Sequence, residues 1–110
     1  MSKIKFNKEW FVNNKIAIHC RTEVESKSLT KELHKLDIDK NWDMSVAYKY
    51  YREDVCYECD ENLFMYYGNV SYYITHNYLI INFSDLEFES DIIKNEPKIT
   101  KTKNEECNYK

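Results

Sequence analysis

The sequence predicts an α+β fold with two layers, in which a mixed or antiparallel sheet of about four strands lies against one main helix over residues 22–37. Three observations predict it: a helical pattern with a start signal, short apolar strand patterns before and after it, and a length of 110 residues, which suffices for one core. We assign residues 1–90 to this single domain. Residues 91–110 are polar and rich in Lys, Asn and Glu, which predicts a disordered tail.

The main helix has both a start signal and a core stripe. Thr22 and Glu25 form a capping box, in which each side chain satisfies a backbone N–H group at the helix start. Leu29, Leu33 and Leu36 then follow at spacings of four and three, which places them on one face of the helix. We expect that face to pack against the sheet.

Four segments have strand patterns. Residues 15–20 are apolar and partly β-branched, which predicts a first strand. Two short strands are predicted over residues 55–59 and 63–67, joined by a tight turn at 60–62. Residues 78–83 are apolar on both faces, which predicts a central strand of the sheet.

Three further segments have weaker patterns. Residues 4–14 fit either a turn that leads into the first strand or a short helix over residues 8–12. Residues 44–51 have helical spacing, which makes a second short helix possible. Residues 70–76 follow one Asn that can cap a helix and precede another that can end it, so one or two helical turns are predicted there.

Charge is distributed unevenly along the chain. The net charge is −3, yet residues 53–93 hold nine acidic residues, no Lys or Arg, and six of the ten tyrosines. Nucleic-acid-binding proteins carry a basic footprint, so we expect no direct binding of nucleic acid. An acidic surface that bears tyrosines is typical of docking on a cationic protein. The alternative is a solvated face that only keeps the protein soluble.

Other features bound the class of protein and its location. A single Gly excludes a glycine-rich phosphate loop, which needs several. No apolar run approaches the roughly 18 residues of a membrane span, and the N-terminus has no apolar signal segment. We therefore expect a cytoplasmic protein that does not bind membranes, with its cysteines present as thiols.

Two cysteine motifs could carry chemistry. Cys56 and Cys59 form a C-x-x-C pair, which can hold zinc together with His19 or His76, or exchange disulfides. Three residues is an odd step along a strand, so these two thiols should point to opposite faces, which favours a structural role. Cys20 follows His19 beside a helix start, where a thiol can become a nucleophile, but its base cannot be assigned. We expect no enzymatic activity, no metal and no cofactor.

Several segments form a pattern along the chain, namely residues 14–23 (NKIAIHCRTE), Leu33-His34, Trp42, residues 51–57 (YREDVCY), Tyr72-Tyr73 and residues 80–86 (IINFSDL). In this order they resemble a family of small accessory proteins from phages and prophages of low-GC Gram-positive bacteria. Asn14 and Asp37 stand where the family pattern has glycines. The resemblance implies no reaction and no cofactor. It implies a compact protein that inhibits a host protein by covering its working surface, as anti-CRISPR proteins do.

The combined hypothesis is a non-enzymatic inhibitor of a host defence protein, which covers the basic nucleic-acid-binding groove of that partner. The predicted binding face combines residues 53–67 and 84–91. The individual residues predicted to bind the partner are Tyr57, Glu58, Asp60, Glu61, Tyr66, Tyr67 and Asp85. The alternatives are a protein that sequesters a nucleotide signal in a pocket and a thiol enzyme that uses Cys20. The sequence leaves the oligomeric state open, a homodimer included.

Overall fold

The computed structural model describes residues 3–88, apart from the side chain of Met44, so the predicted tail at 91–110 lies outside the described residues. The elements in chain order are β1 (Ile4–Lys5), α1 (Lys8–Asn13), β2 (Ile16–His19), α2 (Glu23–Lys35), α3 (Met44–Tyr51), β3 (Val55–Cys59), β4 (Met65–Asn69), α4 (Val70–Thr75), β5 (Leu79–Asn82) and β6 (Leu86–Glu87). Short 3-10 turns precede β3 and follow β5. The predicted α+β class is confirmed.

The main sheet has four strands in the order β4-β3-β2-β5. β3 pairs antiparallel with both β2 and β4, whereas β2 and β5 are parallel. A parallel pair needs a long crossover connection, and the chain from α2 to α4 supplies it. β1 and β6 form a separate parallel pair. The expectation of a mixed sheet of about four strands is therefore confirmed.

The larger core lies between the sheet and the first three helices. Ile18 of β2 and Tyr57 of β3 are fully buried there against Leu29 and Leu33 of α2. The leucine stripe of the main helix thus faces the sheet, as its spacing predicts. Each such side chain stabilises the fold by about 1.5–3 kcal/mol relative to leaving it in water.

Among the elements described, α4 alone lies on the opposite face of the sheet. There Ala17 of β2, Cys56 of β3 and Tyr73 of α4 form a second, smaller core cluster. The sequence predicts the helical turns at 70–76 but not the face on which they lie. Because α4 covers only part of this face, side chains at the β4 edge remain exposed beside it.

The ends of α2 show how local signals set helix boundaries. The Thr22 hydroxyl accepts a hydrogen bond from the Glu25 N–H at 3.1 Å, and the Glu25 carboxylate accepts one from the Arg21 N–H at 2.9 Å. The reciprocal cap is confirmed, with Arg21 rather than Thr22 as the second donor. α2 ends at Lys35, and Asp37 then adopts the left-handed conformation, with φ 63°, at which glycine is favoured.

The position of the last main-sheet strand corrects a prediction. Residues 78–83 are not a central strand, because β5 lies at the sheet edge and its residues are exposed or half-buried. Its apolar residues pack on both faces of the sheet. Ile81 packs with the larger core, and Ile80 packs with the cluster of Ala17 on the α4 side. An apolar pattern on both faces therefore reflects helices on both sides of the sheet here.

The structure also decides between the alternatives for the segments with weaker sequence patterns. Residues 8–13 form helix α1, capped by the Asn7 side chain, so the helical interpretation of 4–14 is confirmed. The second short helix is confirmed as α3. The connection between β3 and β4 is longer than predicted, because Asp60 accepts hydrogen bonds from the backbone N–H groups of both Asn62 and Phe64, each at 3.0 Å.

Replacing Arg52 by glycine should stabilise the protein. Arg52 follows α3 with φ 51° and ψ −126°, a combination that costs a residue with a Cβ about 1–3 kcal/mol. Glycine removes that strain but adds about 0.5–1 kcal/mol of unfolded-state entropy. We expect Arg52→Gly to raise the free energy of unfolding by about 1 kcal/mol, measured by urea denaturation.

The control for this substitution lies three residues earlier. Lys49 is exposed in the last turn of α3, so Lys49→Gly should lower the free energy of unfolding by up to about 1 kcal/mol. A loss of stability in Arg52→Gly of the same size as in Lys49→Gly would contradict the strained conformation.

Candidate functional site

A tyrosine-lined cavity of about 380 Å³ opens beside the edge strand β4. This volume lies in the range of small-ligand and side-chain binding sites. We call it the tyrosine cavity, and its lining residues are Tyr51, Glu58, Tyr66, Tyr67, Gly68, Asn69, Tyr72 and Tyr73. Five tyrosines and one carboxylate therefore surround one concave space.

Strand register brings the first two groups together. Glu58 of β3 is paired with Tyr66 of β4 in the antiparallel ladder, so their side chains are neighbours on the same face. Since side chains alternate along a strand, Glu58 shares its face with Cys56, which belongs to the α4-side cluster. Glu58 and Tyr66 thus lie on the sparsely covered face of the sheet.

The start of α4 places the next two tyrosines. α4 begins directly after β4, where the Asn69 side chain accepts a hydrogen bond from the Tyr72 N–H at 2.8 Å. This cap turns the chain back over the strand, so that Tyr72 lies at the cavity mouth and Tyr73 is buried beneath it. The two rings meet edge to face, with centroids 5.1 Å apart.

Gly68 leaves room for the close approach of these rings. A Cβ at Gly68 would lie 3.3 Å from Cε2 of Tyr73 and 3.5 Å from Cδ2 of Tyr72. Gly68 has no positive φ, so its role here is to leave space rather than to allow an unusual backbone conformation. It is also the only glycine in the chain. The floor of the cavity therefore depends on the absence of this one side chain.

Aromatic contacts hold the other wall of the cavity. The Tyr67 ring contacts Trp42 and Tyr51, with centroid distances of 5.7 and 5.5 Å. Trp42 in turn contacts buried Tyr57 edge to face. Because such contacts fix ring orientations, Tyr67 and Tyr51 are presented by a rigid aromatic cluster rather than by a mobile loop.

The charges around the cavity are negative. Burial, and then a hydrogen bond to the Glu58 carboxylate, raise the pKa of Tyr78, so its hydroxyl stays a donor. The Tyr66 hydroxyl donates to Asp60 at 3.1 Å, and this bond, with further effects of Glu58 and Asp39, raises the pKa of Tyr66. Within residues 3–88, the cavity lining contains no Lys or Arg. The site therefore favours cations.

The structure gathers most, but not all, of the predicted partner-binding residues. Glu58, Tyr66 and Tyr67 line the cavity, and Asp60 and Glu61 lie in the adjoining turn between β3 and β4. We call this part of the molecule the hairpin surface. It consists of Glu58, Asp60, Glu61, Tyr66, Tyr67 and Tyr72.

The prediction that Tyr57 contacts a partner is wrong. Its side chain is 0% exposed and points into the larger core, opposite to Glu58. Its hydroxyl forms a buried hydrogen bond with that of Ser26 at 3.0 Å. Alternation along β3 requires that one of two neighbouring residues faces inward, and here that residue is the tyrosine.

Asp85 does not belong to the hairpin surface either. It follows β5, at the sheet edge opposite to β4, and these edges are about 14 Å apart because neighbouring strands are about 4.8 Å apart. The two acidic residues also differ in position along the strands. Asn82, the last residue of β5 before Asp85, is level with Cys56 near the start of β3, whereas Asp60 follows the end of β3. The predicted face of 53–67 and 84–91 is therefore divided, and residues 89–91 lie outside the described residues.

Five lining residues were missing from the predicted binding set: Tyr51, Gly68, Asn69, Tyr72 and Tyr73. Tyr51 and Tyr72 lie on helices that the sequence identifies, but their approach to β4 depends on tertiary contacts. Gly68 had a signal in the sequence: it is the single glycine, placed just before a helix cap and a pair of tyrosines. A glycine in a strand often marks a close approach by another group.

The cysteines have structural positions. Cys20 is fully buried, and burial raises the pKa of its thiol. Cys56 lies in the α4-side cluster and Cys59 in the larger core, so the prediction that they point to opposite faces is confirmed. Burial raises the pKa of each of these two thiols to about 12. Thiolate chemistry is therefore disfavoured at all three positions.

His19 also has a structural role. Its Nδ1 lies 3.0 Å from the Asn82 side chain, and its Nε2 contacts the backbone carbonyl of Glu53. Both ring nitrogens are thus engaged, which leaves neither to act as a base for Cys20. Among residues 3–88, no group of three or more His, Cys, Asp or Glu side chains is placed to hold a metal ion.

None of the helices within residues 3–88 has the length and apolar character needed to cross a membrane.

Comparisons with known proteins add no further assignment. A scan against protein-family models, a search of curated proteins and a search of solved structures each gave no match. Function is therefore argued from the chemistry of the site.

Proposed function

We propose that this protein is a non-enzymatic inhibitor of a host defence protein, encoded by a phage or prophage and similar in action to anti-CRISPR proteins. Its hairpin surface docks on a basic groove of the partner and excludes nucleic acid from it. The observation that carries the proposal is the tyrosine cavity with carboxylates around it and no cation in its lining among the described residues. Such a surface repels phosphates and attracts cationic side chains.

The exposed aromatic rings support a protein partner. Tyr66 and Tyr72 are 48% and 49% exposed, and Tyr67 and Phe64 are also exposed nearby. Tyrosines are enriched at protein interfaces because their rings bury a large area while few torsions are fixed. The cluster behind them supports a fixed shape, which lowers the entropy cost of binding.

The two alternative functions have weaker support. A nucleotide would fit the volume of the cavity, but its phosphates would meet Glu58 and Asp60 without a neutralising cation in the lining residues. A thiol enzyme would need Cys20 exposed and paired with a base, whereas Cys20 is buried and His19 is engaged elsewhere. A thermal-shift panel of nucleotides tests the first alternative directly.

Expression of this protein should weaken a nucleic-acid-guided defence system in its host. We expect interference with a targeted plasmid to fall when the full chain is produced, and to return when Glu58→Gln, Asp60→Asn and Glu61→Gln are combined. The measurement is plasmid transformation efficiency, followed by competition between the purified protein and nucleic acid for the defence protein. Undiminished interference, or full inhibition by the triple variant, would contradict the proposal.

Charge reversal at two exposed acidic residues should distinguish a local effect of the hairpin surface from an effect of the net charge. Glu61→Lys and Asp85→Lys change the net charge equally, but only Glu61 belongs to the hairpin surface. We expect Glu61→Lys to slow association with the basic partner by about tenfold at low salt and by less at high salt. Asp85→Lys should stay within about twofold of wild type. Equal effects, measured by surface plasmon resonance, would instead favour a diffuse charge effect.

The thiols of Cys20, Cys56 and Cys59 should react only after unfolding. In a Cys107→Ser background, we expect these three buried thiols to resist a thiol-specific chromogenic reagent under native conditions and to react fully in denaturant. Rapid native labelling of Cys20, located by mass spectrometry, would restore the thiol-enzyme hypothesis. Cys20→Ser should leave inhibition intact if the protein still folds.

A further inference from the structure

The tyrosine cavity has the composition of a cation-binding aromatic site. Rings of Tyr66 and Tyr72 are exposed on the α4 side of β4, and Tyr67 and Tyr51 line the cavity on the other side of this edge strand. The face of an aromatic ring attracts a cation placed within about 6 Å of its centroid. Glu58 adds one carboxylate to the same space. Aromatic faces and a carboxylate together favour an organic cation over a neutral or anionic ligand.

The carboxylate lies beside another tyrosine. Glu58 is half-buried, and after burial of the ring its proximity raises the pKa of Tyr78. Lys15 lies over the ring of Tyr78, with its Nζ 5.3 Å from the ring centroid, and is not among the residues that line the cavity. The cavity therefore presents a half-buried carboxylate, and the residues described as lining it include no Lys or Arg.

The shape of the site distinguishes between two protein cations. A guanidinium group is planar, stacks on aromatic faces and donates parallel hydrogen bonds to a carboxylate. An ammonium group is a compact and strongly hydrated point charge. A cavity walled by flat rings with one carboxylate inside it fits the planar group better.

We propose that the tyrosine cavity is a guanidinium site that takes one arginine side chain of the basic partner. The identity of that partner rests on the proposed function, whereas the chemistry of the site does not. Glu58 would accept hydrogen bonds from the guanidinium while the exposed ring surfaces of Tyr66 and Tyr72 contact it. The Tyr72 ring also lies against the ring of His76, with centroids 4.0 Å apart. Gly68 makes the site possible, because it lets the α4 tyrosines approach the strand.

The test uses free amino-acid derivatives and the full chain. N-acetyl-arginine amide is titrated against the protein and followed by NMR, with N-acetyl-citrulline amide as the neutral analogue of the same shape. We expect the arginine derivative to shift the signals of Tyr66, Gly68 and Tyr72, and to bind at least about fivefold more tightly than the citrulline derivative. N-acetyl-lysine amide should bind more weakly than the arginine derivative.

Matched variants assign the effect to the cavity. Glu58→Gln removes the charge but keeps an acceptor for Tyr78, and should reduce binding of the arginine derivative to the level of citrulline. Tyr72→Leu removes one exposed ring and should weaken binding severalfold, which gives a second test if Glu58→Gln fails to fold. Tyr50→Leu, which changes an exposed tyrosine outside the cavity, should have no effect.

The outcomes separate this site from the proposed function. Equal binding of the arginine and citrulline derivatives, or no binding of either, overturns the cation site, even if the protein inhibits a defence system in cells. Equal binding of the arginine and lysine derivatives overturns the guanidinium assignment. Selective arginine binding without any inhibition in cells would support the site and contradict the proposed function alone.

Discussion

Small side chains on one face of the sheet allow α4 to lie directly on the strands, and the rest of the site depends on this contact. Ala17, Cys56 and Gly68 occupy that face under Tyr73, whereas the other face carries large residues such as Ile18 and Tyr57. α4 has only six residues, too few for an isolated helix in water. Its position therefore comes from the buried Tyr73 ring and from the Asn69 cap.

This contact explains why the tyrosine cavity is formed before any ligand binds. The buried ring of Tyr73 fixes the neighbouring ring of Tyr72, and the Trp42 cluster fixes Tyr67 on the other side of β4. The rings then lose little conformational entropy when a partner docks. A Cβ at position 68 would press on the Tyr73 ring at 3.3 Å, so a side chain there would displace the floor of the cavity.

Local features of the structure could be predicted from the sequence, whereas features set by strand pairing could not. The start of α2 is determined by residues within a few positions of Thr22, so the capping box identifies it. The opposite orientation of Cys56 and Cys59 follows from alternation alone. The edge position of β5 depends on pairing with β2, more than sixty residues earlier in sequence, and no local pattern contains that information.

In the candidate site, too, local patterns predict some features and strand pairing determines the others. Alternation predicts that Tyr57 and Glu58 face opposite sides of the sheet, but only the complete fold determines which side is covered by three helices. The run of acidic residues from 53 to 93 is continuous in sequence, yet strand order places Asp85 and Glu61 at opposite edges. A charge run in an α+β protein therefore predicts local charge density, and the sheet topology decides how many surfaces share it.

The cysteine thiols and the exposed acidic and phenolic groups lie in different parts of the structure. The thiols of Cys20, Cys56 and Cys59 lie within the two layers, where burial raises each pKa and keeps the thiol protonated. The carboxylates and phenols lie at the β4 edge. There the hydrogen bond from the Phe64 N–H, followed by other contacts, lowers the pKa of Asp60, which keeps its charge into mildly acidic solution. An anion that persists over a wide pH range beside neutral rings suits recognition of a cation, because neither group has to gain or lose a proton.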